Sequence, residues 1–328
     1  MARALRSMHI PFNRFLVIRN PKSTNVSNTA RYIAQLERAF PDVEITVIDT
    51  VAGGPPANAK MLRPYAKLID KKTLLCIASG DGTVGMVINI LLSDLHFPAA
   101  ARKATLLPLW CGNANDLAHM LNGNARTPLE LVVKKGAIVP VYPLECSLTY
   151  QDGTTEKHLA GCYASFGASA HITKILSESV RKNTVLHRLP SGRLIEELIV
   201  TSRALFSAMP FEEIEDGHSS QIFERVFFNG PRCAKIGRIQ QQLTDKSFHQ
   251  AIIYGKRFLD IMWYTVEIMR GSRTERYKRT HAAFTIASDA WMQFDGEATV
   301  VPAGTRVEVR VASQPFYALS TKECAQKA

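Results

Sequence analysis

Thr73-Leu74-Leu75-Cys76-Ile77-Ala78, then Ser79-Gly80-Asp81-Gly82-Thr83, then Val84-Gly85-Met86-Val87-Ile88-Asn89-Ile90-Leu91-Leu92 read in turn as an apolar strand, a small-residue turn and an apolar helix predicted to begin at Val84. Glycines at such a junction let the backbone turn tightly and approach a ligand, and the first N–H groups of the helix are unpaired donors at the positive end of its dipole. The place suits a phosphate. Asp81 would repel a phosphate unless a cation such as Mg²⁺ lies between them, so it points to nucleotide phosphate with metal, or to proton transfer. A turn without a ligand is the plainer alternative. Gly80-x-Gly82-x-x-Gly85 also fits a dinucleotide fingerprint, but that motif belongs after the first strand of a domain, with an acid about 20 residues on. This turn follows a third strand, and the next one, Ala104–Trp110, carries no carboxylate.

Upstream, Phe15–Arg19 reads as a first strand ending in Asn20-Pro21-Lys22-Ser23. A helix with Ala30, Ile33, Leu36 and Phe40 near one face follows, then a strand Val43–Ile48. Thr50 to Pro56 is a Gly/Pro loop, and Met61, Leu62, Tyr65, Leu68 and Ile69 mark a helix. Downstream of Ala104–Trp110, the run Cys111-Gly112-Asn113-Ala114-Asn115-Asp116 opens another helix, with Asp116 as a cap or a site residue. Thr127-Pro128-Leu129-Glu130 is a helix start with a capping threonine. Strands alternating with helices predict an α/β domain with a doubly wound parallel sheet. Its loops after successive strands share one edge, so Asp81 and Asp116 flank one crevice.

Past residue 140 the texture is β-rich. Ile138–Tyr150, the turn Asp152-Gly153 and Lys157–Phe166 read as a hairpin, and Phe223–Phe228, Phe284–Ala287 and Arg306–Val311 as further strands of an antiparallel, sandwich-like domain. Leu194–Phe211 has helix-like apolar spacing, preceded by Arg181, Lys182, Arg188 and Arg193. It is either a helix packed on the sheet or an amphipathic lid over an apolar pocket that touches membrane. Gln293-Phe294-Asp295-Gly296-Glu297 is by itself a hairpin turn with solvated acids. The expected division is 13–140 for a nucleotide-binding domain, 141–315 for a β-rich substrate domain, and 316–328 for a tail that can pack back on the first domain.

The chain has 328 residues, 46% of them hydrophobic, enough for two cores. Its six cysteines form no C-x-x-C pair, which argues against zinc and a disulfide framework and for a reducing cytosol. No apolar run approaches the ~20 residues of a membrane span. Of the net charge of +11, residues 1–140 hold +8, from 17 Lys and Arg against nine Asp and Glu. The basic residues are scattered and not interleaved with aromatics, so nucleic acid is not an expected partner. An anionic membrane surface or ATP is.

In order and context, Asn20-Pro21-Lys22-Ser23, Ser79-Gly80-Asp81-Gly82-Thr83, Gly112-Asn113-Ala114-Asn115-Asp116-Leu117-Ala118 and Asp295-Gly296-Glu297 resemble the diacylglycerol kinase catalytic-domain family. That family also includes sphingosine and ceramide kinases and YegS-like enzymes, and the resemblance spans roughly residues 13 to 315. It implies an ATP- and Mg²⁺-dependent lipid kinase acting on a hydroxyl of a lipid such as diacylglycerol or a sphingoid-like lipid. By resemblance, Asn20, Ser23, Thr50, Ser79, Gly80, Asp81, Gly82, Thr83, Gly112 and Asn113 line the ATP site. Asp81 and Asp116 help to hold Mg²⁺, and Asp295 or Glu297 takes the proton from the acceptor, with Asp81 the other catalytic candidate. Phosphoryl transfer needs positioning, charge neutralisation and a carboxylate for that proton. The implied protein is cytoplasmic, peripheral at a membrane, and compatible with a homodimer. Thr24 where the family has glycine, Asn113 where it has threonine, and Leu109-Trp110-Cys111 between Pro108 and Gly112 depart from the pattern. An NAD kinase-like phosphotransferase on a soluble acceptor and an inactive lipid- or nucleotide-binding relative are the alternatives.

Overall fold

The computed structural model describes residues 11–123, 125–180, 192–233, 237–238, 242–254 and 278–322, and the side chains at 179–180, 192–198, 233 and 237–238 lie outside the description. The chain divides into two compact units, residues 1–141 with 314–328, and residues 142–313.

In the first unit, strands β1 (Arg14–Arg19), β2 (Glu44–Asp49), β3 (Thr73–Ala78) and β4 (Thr105–Pro108) alternate with helices α1 (Ser27–Ala39), α2 (Gly54–Leu62) and α3 (Asp81–Ser93). Helices α4 (Asp116–Asn122) and α5 (Leu129–Lys135) lead to β5 (Ala137–Val141). The sheet order is β2-β1-β3-β4, then the C-terminal strand Phe316–Ser320, then β5. Pairing is parallel throughout except between the C-terminal strand and β5. Every residue of β3 is buried, which is why it reads as one unbroken apolar run. Phe15, Val17, Leu74, Cys76, Leu107 and Trp110 pack with Tyr32 and Leu36 of α1 and Val132 and Val133 of α5. Each such side chain contributes roughly 1.5–3 kcal/mol of burial. Because β1 lies between β2 and β3, the chain reverses direction of travel across the sheet there. The loops after β1 and β3 meet at that switch point.

Three local expectations differ. Helix α3 begins at Asp81, so Gly82 and Thr83 sit in its first turn. Helix α2 begins at Gly54 because Pro55 and Pro56 suit the first helical positions, where no N–H partner is lost. Thr127 does not cap α5; its hydroxyl donates to Asn122 O at 3.4 Å, and Pro128 occupies the cap position.

The second unit holds a curled antiparallel sheet. Its path begins with strands Glu297–Val301 and Ala290–Phe294 and runs through β8 (Tyr163–Gly167), β10 (His218–Phe228) and β9 (Phe211–Glu215). It ends with strands His281–Ile286 and Arg306–Val311, then β6 (Leu144–Thr149) and β7 (Thr155–Ala160). The long hairpin expected over 138–166 is broken at both sides. Pro143 interrupts the first strand, so 137–141 joins the parallel sheet instead, and Gly161-Cys162 separates β7 from β8. Phe166, Phe211, Phe227, Phe248 and Phe284 fill the inside of the curl together with residues of nearly every strand. Also inside, fully buried Arg225 pairs with Glu213 and Glu215 and lies over the Phe284 ring, 4.3 Å from its centre. Helices α6 (Ala168–Val180) and α7 (Gly192–Ser207) pair with each other, and Ala168, Leu205 and Ala208 pack on Phe223 and Ile253.

Candidate nucleotide and phosphoryl-transfer site

At the carboxyl edge of the parallel sheet, three loops are tied together. Asn20 after β1 accepts Lys22 N–H on its side-chain oxygen at 2.9 Å, and its backbone N–H reaches Ala78 O at 3.4 Å. Its amide nitrogen reaches toward Thr83 Oγ1 at 3.5 Å, and Thr83 shares a 2.7 Å bond with Ser79 Oγ. Ser23 Oγ donates to Cys111 O at 2.7 Å, which joins the first loop to the one after β4. Asn25 adds a second tie, its side chain donating to Gly112 O at 2.9 Å. Thr50 stands at the end of β2, its N–H on Arg19 O at 2.8 Å. Asn113 is exposed.

The two glycine loops touch backbone to backbone. A Cβ on Gly112 would lie 2.2 Å from Gly80 Cα, a distance that no side chain permits. Gly80 itself has an ordinary φ of −88°. Close approach between loops, and not a left-handed turn, therefore requires glycine here. Asn115, at φ 53°, clamps its loop by accepting Gly112 N–H at 2.7 Å and donating to Gly112 O at 2.9 Å. The short polar side chain of asparagine tolerates that left-handed backbone.

Asp81 spans the two loops as well. Its carboxylate oxygens accept Asp116 N–H at 2.9 Å and Leu117 N–H at 3.1 Å, satisfying the first turn of α4 from a position 35 residues upstream. Asn115 stands at the N-cap position of α4 and Asp81 supplies the side-chain bonds to its first turn, whereas Asp116 is its first helical residue and fully buried. Burial first, then the nearby charge of Asp116, pushes the Asp81 carboxyl up to about 6. Two enclosed carboxylates that repel one another fit a bound cation. No cluster of three or more His, Cys, Asp or Glu suited to a metal occurs among the described residues. A Mg²⁺ held mostly by phosphate and water asks for only one or two protein carboxylates, which Asp81 and Asp116 could supply. Backbone N–H groups at the start of α3, with Ser79, Thr83 and Asn20 beside them, are the kind of donors that can receive a phosphate.

Asp295 and Glu297 belong to the second unit. Phe294 pairs with Glu297 across a two-residue turn in which Asp295 and Gly296 take φ of 47° and 93°, so the Asp-Gly turn forms. The expected pair of solvated acids is corrected in one member. Asp295 is 4% exposed, and its carboxylate accepts Gly161 N–H at 2.6 Å, Cys162 N–H at 2.9 Å and Tyr163 N–H at 3.1 Å. Glu297 is exposed. Asn229, buried, braces the same turn by donating to Tyr142 O and Gly161 O. The strand leading to Asp295 is held by Gln293, which accepts Thr173 Oγ1–H at 2.7 Å and donates to Ser165 and Ser169 Oγ at 2.9 and 3.0 Å. Ser169 in turn gives its N–H and hydroxyl to Glu224, whose carboxyl burial pushes up to about 8. Asn115, Asn25, Asn229 and Glu224 were not singled out from sequence; only Asn115, in a small-residue run before a helix, carried a local signal.

Of the Leu194–Phe211 segment, Arg181, Lys182 and Arg188 lie outside the described residues, as do the side chains of Arg193, Leu194, Ile195 and Leu198. Ile199, Phe206 and Met209 are exposed. No helix among the described residues is long and apolar enough to cross a membrane.

Residues 14–141 match the family described as the diacylglycerol kinase catalytic domain, so the resemblance read from the motifs holds over the whole parallel-sheet segment. No curated protein matches the sequence. A diacylglycerol kinase structure from Bacillus anthracis str. Sterne is similar over 94% of this chain and 97% of its own, with 17% identity and a TM-score of 0.59. Yeast NADH kinase complexed with NADH is similar over 94% of this chain and 84% of its own, with 11% identity and a TM-score of 0.53. At these identities the structures speak for the fold, and the domain match supports a kinase.

Proposed function

We propose that this chain, with a diacylglycerol kinase catalytic domain in its first unit, transfers the γ-phosphate of ATP to a hydroxyl of a lipid. The observation that carries the reading is the interlock of the glycine turn with the loop after β4, where Asp81 joins two helix starts at the switch point of the sheet. Asn20, Ser23, Thr50, Ser79, Gly80, Gly82, Thr83, Gly112 and Asn113 line the nucleotide, and the first amides of α3 receive its phosphates. Asp81 and Asp116 help to hold Mg²⁺, which would neutralise phosphate charge. The three backbone donors on Asp295 support a positioning role for it, since both of its oxygens are already engaged by amides. Exposed Glu297, set by that turn, is then the residue that takes the proton from the acceptor hydroxyl.

A lipid acceptor is supported by the exposed Ile199, Phe206 and Met209 and by the +11 charge, which would draw the chain to an anionic membrane as a peripheral protein. The buried cysteines Cys76, Cys111, Cys146 and Cys162, none of them in a disulfide, suit a reducing cytoplasm. The test is incubation of purified protein with labelled ATP, Mg²⁺ and a panel of lipid extracts, with NAD as control, beside Gly82→Val. Label should enter a lipid, and the variant should stay folded and lose ATP binding. Label in NAD alone would move the protein to a soluble acceptor, and unchanged ATP affinity in the variant would remove the phosphate assignment.

A further inference from the structure

Asp295 and Glu297 are carried by the hairpin of the strands Ala290–Phe294 and Glu297–Val301. Glu297–Val301 ends the sheet path, so among the described strands the hairpin joins the rest of the sheet through its first strand alone. That junction is short, with Met292, Gln293 and Phe294 opposite Phe166, Ser165 and Ala164 of β8. Successive side chains of a strand point to opposite faces, so a slip of one residue would reverse them all, and three ladder pairs hold a register only weakly. Two buried side chains, two residues apart, reinforce it. Asp295 is drawn under the amides of residues 161–163 and returns its own N–H to Tyr163 O at 3.1 Å. Gln293, 2% exposed, is enclosed by hydroxyls. Its amide oxygen accepts Thr173 Oγ1–H at 2.7 Å, and its amide nitrogen donates to Ser165 Oγ at 2.9 Å and to Ser169 Oγ at 3.0 Å, so both N–H groups and the oxygen are used. The Ser165 and Ser169 hydroxyls share a 2.6 Å bond, and Ser169 is itself fixed by giving its N–H and hydroxyl to buried Glu224. Ser169 and Thr173 stand one turn apart on α6, so one amide is bonded to a neighbouring strand and to two successive turns of a helix.

We infer that Gln293 is a positioning residue for the carboxylates of this turn: by tying its strand to β8 and α6 it fixes the register of the hairpin, and with it the place of Asp295 and of Glu297. The consequence for catalysis rests on the kinase reading above, in which Glu297 takes the proton of the acceptor hydroxyl. Gln293 is too deeply buried to meet a substrate and acts through the turn. A shift of about 1 Å at a reacting group can cost about 10²-fold in rate. The residues assigned to the nucleotide belong to the other unit, so loss of the tie lowers kcat and leaves KM for ATP as it is.

The test uses Gln293→Met, which keeps the length of the side chain and removes the amide. Thr173→Val removes one hydroxyl at nearly constant shape and serves should the first variant fail to fold. Val309→Ala, buried on a strand that does not pair with the hairpin, is the control for lost stability. In the full chain without nucleotide or lipid, NMR should show the Gly161, Cys162 and Tyr163 amides exchanging faster relative to those of β10, by about tenfold or more in Gln293→Met and by roughly fivefold, the worth of one hydrogen bond, in Thr173→Val. Val309→Ala should leave that ratio alone. In the ATP-dependent lipid assay, at a temperature where every variant is folded, kcat of Gln293→Met should fall about tenfold or more with KM for ATP unchanged, whereas Val309→Ala should keep the parent kcat. Unchanged exchange at residues 161–163 in the folded variants, an equal change in Val309→Ala, or a parent-like kcat in Gln293→Met overturns the inference. A parent chain that phosphorylates no acceptor removes the kinase reading, and amide exchange then decides the placing of the turn by itself.

Discussion

Gly112→Ala should be far more damaging than Gly80→Ala, although both glycines face each other across one contact. A methyl at Gly112 would lie 2.2 Å from Gly80 Cα, 2.8 Å from Gly80 N and 3.0 Å from Asn115 Oδ1, whereas one at Gly80 meets Gly112 Cα at 3.3 Å. The first overlap is with backbone, so no rotamer relieves it and the loops must part. Overpacking of this kind costs about 1–3 kcal/mol, and parting strains the bonds of Gly112 to Asn115 and Asn25, each worth about 1 kcal/mol. A loss of about 3–4 kcal/mol for Gly112→Ala and about 1 kcal/mol for Gly80→Ala follows. For a unit of this size, the former lowers the melting temperature by roughly 6–15 °C. Thermal unfolding followed by near-UV circular dichroism and calorimetry measures it, and amide exchange in α4 should quicken because the Asp81 bonds cross the same gap. The reasoning fails if Gly112→Ala melts within about 2 °C of the parent, or if Gly80→Ala is the more destabilising of the two.

Other perturbations separate the remaining roles. Glu297→Gln should slow turnover about 10²–10⁴-fold with melting temperature and ATP affinity unchanged, while Asp295→Asn should cost about 2–3 kcal/mol of stability by turning an amide N–H toward backbone donors; near-normal turnover in Glu297→Gln removes it as the base. Folded Glu224 holds its proton to about pH 8, while the unfolded group ionises near 4.5. The folded state therefore carries the extra proton between these values, and this contribution to stability is lost as pH rises through that window. Urea midpoints of the parent and of Glu224→Gln at pH 5 and pH 8 test it: the variant should gain on the parent at pH 8, and a difference independent of pH rejects the buried, protonated carboxyl. Phe206→Glu with Met209→Glu, at positions 69% and 76% exposed, should weaken binding to anionic phosphatidylserine vesicles by at least about tenfold with an unaltered melting temperature, since each inserted side chain is worth ~1.5–3 kcal/mol. Sedimentation with the vesicles checks this, and equal binding leaves these exposed apolar side chains without a membrane role.

The alternation of strand and helix up to residue 141 was legible because each element announces itself locally. β3 is apolar at every position, as a strand covered on both faces must be, and the Asp-Gly pair before Glu297 contains the backbone freedom its turn needs. The ordered motifs around Gly80, Gly112 and Asp295 likewise sit in short stretches whose composition points to their loops. Tertiary structure alone decided what those motifs touch. Asp81 caps a helix 35 residues away, Gly112 is glycine because Gly80 is beside it, and Asp295 is buried under the amides of residues more than 130 positions earlier. Pro143 ends a run that sequence reads as continuous, and Phe316–Ser320 enters the first sheet between β4 and β5 from the far end of the chain. Periodicity reports how a segment divides its own faces between core and water. Which distant backbone donor meets a carboxylate depends on loop closures over a hundred residues, and these leave no mark on the local pattern.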